Sequence, residues 1–367
     1  MHPTVTSVII ITYRTGAPLW ICLAHVLRQH GLKEVIIVNN GNPPETERYL
    51  QQIAKSYGEV KLLTGHGNVG FAKACNLGAA MASGDFVVLL NPDAVLLQPD
   101  ALLNLTSVFS RAAENPVMLV GGVLRNEDGS EQRASRRNLM DPANALGEGL
   151  RLNRLWPKLG TINRESEPLP ENPAEVPAIS GACMVMKKAD YDRIGGMDEG
   201  YFLHAEDMDL CQRVHLTGGS VWINPQVDLL HYRSTSDVSS LFVERQKAKS
   251  FGRYFQTYPG NSKALLFLVK LAAWARLTVR ALLSTIGKIL PERQLLTPTG
   301  VKQVQAILRG LQAETGGDFT YFPENQSVIV TGASTPIGLF SIGRLLARGC
   351  RVFAICHYSQ IGFRIPT

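Results

Sequence analysis

Asp85-Phe-Val-Val-Leu-Leu-Asn-Pro-Asp93 is a short apolar run that stops abruptly at Asn-Pro-Asp. An unbroken run of this length reads as a strand buried on both faces, and Pro92 cannot continue its hydrogen-bond ladder. The same signal occurs earlier in residues 5–12 (VTSVIIIT), in Glu34-Val-Ile-Ile-Val38 and in Val60-Lys-Leu-Leu63. Helical patterns over about residues 17–30, 45–57 and 71–82 separate these strands. The resulting β-α-β-α-β-α-β alternation predicts an α/β fold with a mostly parallel sheet flanked by helices on both faces. Ligands of such sheets lie beyond the strands' carboxyl ends. Thr12-Tyr13, Asn39-Asn40 and Asn91-Pro-Asp93 all fall there.

Downstream, residues 130–176 carry many Arg, Pro and Asn with little periodicity, and read as a long connection that could act as a flap. Order returns in Val176–Met186, followed by a helix from about Ala189. The segment His204-Ala-Glu-Asp-Met-Asp-Leu-Cys-Gln-Arg213 then packs three carboxylates and an arginine around an apolar stripe. On a helix Asp207 and Asp209 point to different faces, so the three acids do not form one metal cage. Asp209 is placed to pair with Arg213 at i+4. A carboxylate at a strand's end combined with this later cluster suits sugar transfer from a nucleotide diphosphate. One acid can hold a divalent cation and the other can deprotonate a hydroxyl.

Bulk properties agree with a folded enzyme. The 367 residues are 45% hydrophobic and 19% charged, which excludes wholesale disorder. Six cysteines without any C-x-x-C point to a reduced compartment with no structural zinc. Ser7–Ile11 is too short for an export signal and reads as the first strand. The net charge of +6 is concentrated: between Leu241 and Gly310, twelve Lys/Arg face only Glu244 and Glu292. Ala264–Leu290 is apolar but interrupted by Lys270, Arg276, Arg280 and Lys288, which with Lys263 fall on one arc of a helix. That pattern predicts a basic amphipathic helix in a headgroup layer rather than a membrane span.

Four segments, Val8-Ile-Ile-Ile-Thr-Tyr13, Asn68–Gly78 (NVGFAKACNLG), Leu89-Leu-Asn-Pro-Asp93 and Gly195–Leu210, resemble the inverting family 2 glycosyltransferases of GT-A fold. Within that family the likeness is to the rhamnosyltransferase-like branch, and it covers about residues 5–255. The resemblance implies that Thr12 and Tyr13 line a nucleobase pocket. Asn39 stands where the family usually has aspartate; its carbonyl can still accept an imide N–H without the charge, although an ordinary turn asparagine would look the same. Asn68, Gly70 and Asn76 would wrap the nucleotide, Gly70 by permitting close backbone approach. Lys73 would meet a phosphate or the base edge, or else be a solvated helix lysine. Asn91-Pro-Asp93 replaces the D-x-D signature, with Asp93 and His231 implied as ligands of Mg2+ or Mn2+ and Arg233 as a neutraliser of the diphosphate. Asp207 would be the general base and Glu206 would position the acceptor, while His204 would only form a pocket wall.

The last 43 residues resemble the opening of an NAD-dependent epimerase or extended short-chain dehydrogenase, with strands at Ser327–Val330 and Arg351–Cys356 around Thr331-Gly-Ala-Ser-Thr-Pro-Ile-Gly338. Thr335 replaces the middle glycine and no Tyr-x-x-x-Lys dyad follows, so a truncated Rossmann-like β-α-β fragment without NAD is expected. The expected organisation is a GT-A domain over 1–258, a basic amphipathic helical region over 259–322 and the fragment over 323–367. The expected activity is transfer of a sugar, by preference L-rhamnose from dTDP-L-rhamnose, to a lipid-linked or growing surface saccharide at the cytosolic face of the plasma membrane. Its partners would be the nucleotide-sugar donor, that acceptor and an anionic membrane surface, without nucleic acid. The rival expectation is a catalytically silent nucleotide-sugar-binding scaffold.

Overall fold

The computed structural model of the chain describes residues 5–111, 117–149, 160–232 and 238–260, helical positions between 263 and 278, and the segments 327–331 and 351–355. The first half alternates as its sequence predicts: β1 (Thr6–Thr12), α1 (Ala17–Val26), β2 (Leu32–Asn39), α2 (Pro44–Ser56), β3 (Val60–Leu63), α3 (Phe71–Ala80) and β4 (Phe86–Leu90). Then come β5 (Ala94–Leu96), α4 (Ala101–Ser107), β6 (Met118–Arg125), β7 (Arg136–Arg137), α5 (Pro142–Gly149), β8 (Ala174–Glu175) and β9 (Ala178–Ile179). The chain continues through β10 (Cys183–Lys187), α6 (Lys188–Arg193), α7 (Glu206–Leu216), β11 (Ser220–His231) and α8 (Ser240–Thr257).

A nine-stranded sheet runs in the order β3-β2-β1-β4-β10-β6-β11-β5, with β8 added against β11. Every residue of β1 is buried, because successive side chains enter opposite layers. Val8 and Ile10 pack with apolar residues of α1, α2 and α4. Ile9 and Ile11 pack with those of α3, α7 and α8. The small residues of α3 serve this second layer: a Cβ on Gly78 would run into Ile9 Cγ2.

The sheet is mixed rather than mostly parallel. β1–β2, β2–β3, β1–β4 and β6–β11 are parallel, but β10 is antiparallel to both of its neighbours and β11 is antiparallel to β5 and β8. The parallel rule needs a crossover helix between strands. Among the described residues between β6 and β10 the elements are two-residue strands and the short α5, and β10 enters β4's edge from the opposite end.

Residues 130–176 also depart from the expected flap, since their described part is pinned. Arg136 is buried, meets both carboxylate oxygens of Glu131 at 2.8 Å and donates to the carbonyls of Arg164, Glu167 and Pro168. Near the C-terminus β12 (Ser327–Thr331) pairs in parallel with β13 (Arg351–Ile355). The glycine turn and helix expected between them lie outside the described residues, as do most of the basic segment and Arg233.

Replacing Gly78 with alanine should destabilise the domain by about 1–3 kcal/mol through the clash with Ile9, although alanine is the better helix former by about 1 kcal/mol. Urea unfolding checks this; a gain in stability would contradict the α3–β1 packing described.

Candidate active site

Where β4 ends, Pro92 breaks the ladder and Asp93 turns back before β5. The Asp93 carboxylate is buried and its Oδ1 lies 3.2 Å from His231 Nε2, at the end of β11. Gln132 fixes this imidazole. Its amide nitrogen faces two acceptors, the His231 carbonyl at 2.8 Å and Asn126 Oδ1 at 3.1 Å, so its oxygen must be the atom 2.6 Å from His231 Nδ1. Nδ1 is therefore the donor, and in the neutral ring the Nε2 lone pair is directed at a carboxylate. Two acceptors facing one another at that distance call for a cation or a proton between them. Asn91 Nδ2, at 3.4 Å from Nε2, borders the same spot. Among the described residues no group of three or more His, Cys, Asp or Glu forms a metal cage. The pair can therefore offer only part of a coordination sphere.

Asp207 lies in the first turn of α7, and the two residues before that helix, His204 and Ala205, have φ of 69° and 65°. Left-handed backbone at non-glycine residues is strained, and here it aims the start of α7. Asp207 Oδ2 receives Arg137 Nη2 at 2.5 Å and the Gly181 N–H at 3.0 Å, while Oδ1 receives the Met208 N–H at 2.8 Å. Burial would raise this carboxyl, but the Arg137 guanidinium and the backbone donors outweigh it and hold Asp207 below the ordinary carboxylate range. Its neighbour Glu206 moves the other way, raised by burial and then by the Asp207 charge. Glu206 Oε2 is buried with no partner among the described residues. Asp209 is engaged elsewhere, by Arg213 Nε at 2.7 Å and the Tyr258 hydroxyl at 3.1 Å.

The two acids share one edge of the sheet. Leu90 pairs with Cys183, and the Asn91 N–H donates to the Ala182 carbonyl at 2.9 Å. Gly181, the next residue, is the one that donates to Asp207, and a Cβ there would lie 3.1 Å from Asp207 Cβ. A short span of backbone thus joins the Asp93 turn to the start of α7.

Around the expected nucleotide pocket most side chains bind one another. Asn39 Oδ1 already accepts from Asn42 N at 3.0 Å and Asn42 Nδ2 at 2.8 Å, and Asn39 Nδ2 donates to Thr64 Oγ1 at 3.1 Å. Its carbonyl is filled, and an imide N–H would have to displace Asn42. Thr12 is buried, with its carbonyl accepting from Asn42 Nδ2; Tyr13 is half-buried under the Arg14 guanidinium. Asn68 Oδ1 accepts from Gly70 N and Asn40 Nδ2, while Asn40 Oδ1 takes Val69 N. Gly70, at φ 88°, makes its close approach to Phe202, whose carbonyl accepts from Phe71 N at 2.8 Å. Asn76 is spent on Met197, Glu199 and the Tyr191 hydroxyl. Lys73 sits 3.7 Å from Glu199 at the surface.

Sequence reasoning missed Arg137, Gly181, Gln132 and Asn42. Arg137 was hidden beside Arg136, an identical residue with a structural task. Only the register of β7 on β9, where Arg137 faces Ala178, separates the two.

Residues 7–195 match the family model described as Glycosyl transferase family 2, and residues 166–254 match N-terminal domain of galactosyltransferase. Over 249 residues the chain is 29% identical to N-acetylglucosaminyl-diphospho-decaprenol L-rhamnosyltransferase of Mycobacterium tuberculosis, covering 63% of this chain and 77% of that one. It is 28% identical over 214 residues to rhamnosyltransferase WbbL of Escherichia coli strain K12, covering 56% and 76% respectively. Among solved structures, GalNAc-T7 with UDP, GalNAc and Mn2+ shares the fold, with a TM-score of 0.50 at 14% identity over 73% of this chain and 54% of that one.

The raised Glu206 carboxyl makes a stability prediction. In the folded chain it keeps its proton to higher pH than in the unfolded chain, so its contribution is complete in acid and drains away as pH rises. Glu206→Gln removes that loss. Its melting temperature relative to wild type should climb between about pH 5 and pH 8; a flat difference in calorimetry would refute the assignment.

Proposed function

The chain belongs to glycosyl transferase family 2, and from that premise we propose that it transfers a sugar, with inversion, from a nucleotide diphosphate donor to a saccharide hydroxyl. The reading rests on one observation above all: the Asp93–His231 pair and Asp207 stand on a single sheet edge, joined through Asn91, Ala182 and Gly181. Donor chemistry and acceptor chemistry then have separate acids. The rhamnosyltransferase relatives support L-rhamnose as the sugar and a lipid-linked saccharide as acceptor; dTDP as its carrier, and a growing surface saccharide as the other acceptor, belong to the proposal.

Asp207 takes the acceptor's proton as the hydroxyl oxygen attacks the anomeric carbon. The carbon–oxygen bond to the diphosphate breaks on the opposite face, and its electron pair leaves with the phosphate. Glu206, holding a proton at neutral pH, donates a hydrogen bond that orients the acceptor. Asp93 and His231 fit one side of a Mn2+ or Mg2+ site, the neutral Nε2 and the carboxylate being complementary to a cation. Such an ion, when bound, would supply charge stabilisation for the departing diphosphate. Asn91 borders that position, and Tyr13 offers a half-buried ring to the base.

The basic segment supports docking on an anionic bilayer. Among the described residues no helix is long and apolar enough to cross a membrane. The helical positions after 263 nevertheless expose Phe267 by 66%, Leu271 by 49% and Leu268 by 43%, in the stretch where twelve basic residues face two acidic ones. Apolar insertion plus attraction to anionic headgroups is the chemistry of an interfacial helix.

Two measurements test these readings. With dTDP-L-rhamnose and Mn2+, nucleoside diphosphate release should vanish in EDTA, and Asp93→Ala and Asp207→Asn should each lower it by about 10²-fold or more. Silence of the wild-type chain with dTDP-, UDP- and GDP-sugars alike would favour the scaffold instead. For the membrane, reversing the charge of Arg276 and Arg280 together should abolish flotation with phosphatidylglycerol vesicles; unchanged flotation removes the docking surface.

A further inference from the structure

We propose that Arg137 is a positioning residue that decides which oxygen of Asp207 receives the acceptor's proton, reserving Oδ1 for that task. The inference rests on the reading of Asp207 as the base. Oδ2 holds two donors, Arg137 Nη2 at 2.5 Å and Gly181 N at 3.0 Å, which fill both in-plane lone pairs. Among the described residues Oδ1 holds only the Met208 N–H, at 2.8 Å, and keeps one lone pair. When the hydroxyl proton moves to Oδ1, Oδ2 becomes the carbonyl oxygen of the acid and still accepts from both partners. Protonation at Oδ2 would instead break one of these bonds inside a buried site, at a cost of about 1–3 kcal/mol.

Arg137 is itself held in place. The same Nη2 donates to the Ile179 carbonyl at 2.5 Å, and the residue's backbone is paired with Ala178 across β7 and β9. Arg136 fastens that strand from the other side through Glu131. The guanidinium therefore cannot follow Asp207 if the carboxylate turns; the carboxylate must conform to it. The charged and titratable groups around the pair are Glu206 and Cys211 of α7, His204 just before it, and Lys247 and Glu244 of α8 on the His204 side. With Glu206 adjacent, a buried carboxylate lacking its arginine would draw a proton to itself. Arg137 thus keeps the base ionised as well as oriented.

The full chain carrying Arg137→Gln, Arg137→Lys or Gly181→Ala tests this with two readouts. One is a carbon-13 NMR titration of the Asp207 carboxyl, identified by its absence in Asp207→Asn. The other is the pH profile of nucleoside diphosphate release from dTDP-L-rhamnose. In Arg137→Gln the Asp207 midpoint should rise by about one unit or more, and the acid limb of the profile should move up with it. An unmoved midpoint overturns the proposal. Arg137→Lys retains the charge but not the rigid planar guanidinium whose Nη2 bridges Asp207 and the Ile179 carbonyl. It should hold the midpoint near that of wild type while turnover falls about 10-fold, and full turnover in this variant overturns the proposal even if the glutamine variant does not fold. Gly181→Ala presses on Asp207 Cβ, 3.1 Å from the added methyl, without changing any charge, and should lower turnover with the midpoint in place. Full turnover in Asp207→Asn would defeat the assignment of the base, whereas the NMR titration tests the Arg137 clamp without any substrate.

Discussion

Antiparallel pairing of β10 with β4 is the constraint on which the site depends. Were β10 to enter in parallel, its carboxyl end would lie beside Asn91 and the turn before it would lie on the far side of the sheet. Because it runs the other way, residues 180–182 arrive at the edge where β4 hands over to Asp93. Gly181 is then free of a side chain at the one point where Asp207 Cβ approaches to 3.1 Å. Strand direction, a backbone property, thereby sets the spacing of two carboxylates more than 100 residues apart in the chain.

The half of the fold that could be read from sequence is the half in which local signals suffice. Buried parallel strands are uniform apolar runs, and VTSVIIIT or DFVVLL admits few other readings. The second half turns on two-residue strands and on direction of entry, neither of which leaves a periodic trace. A similar divide runs through the site. Asp93, Asp207 and His231 sit in motifs or at strand ends, where the sequence carries a local signal. Gln132 and Arg137 come from a segment whose composition suggested a loose connection, and their importance lies in contacts made 70 or more residues away. The carbonyl of Asn39 is filled by Asn42, three residues on, a contact that no motif announces.

Local costs gather at the entrance to α7. His204 and Ala205 both adopt left-handed backbone, His204 Nε2 and Glu206 Oε2 lack partners among the described residues, and a buried carboxyl, Glu206, adjoins a half-buried one, Asp207. Each departure costs on the order of 1–3 kcal/mol. The surrounding fixtures offset them: Asp209 tied to Arg213 and Tyr258, and Ser250 of α8 donating to the Leu203 carbonyl at 2.8 Å. Sequences carry such conflicts mainly where something other than folding sets the residue, which agrees with the role proposed for Asp207.

Gly70 and Phe202 meet at a distance that admits no side chain on the first, and Phe71 N–H closes the contact onto the Phe202 carbonyl. The loop that would embrace one reactant is thus moulded on the loop that leads to the other. Exchange of either segment with that of a relative would import a surface shaped for a different counterpart. A chimera would have to carry both stretches together to keep this contact.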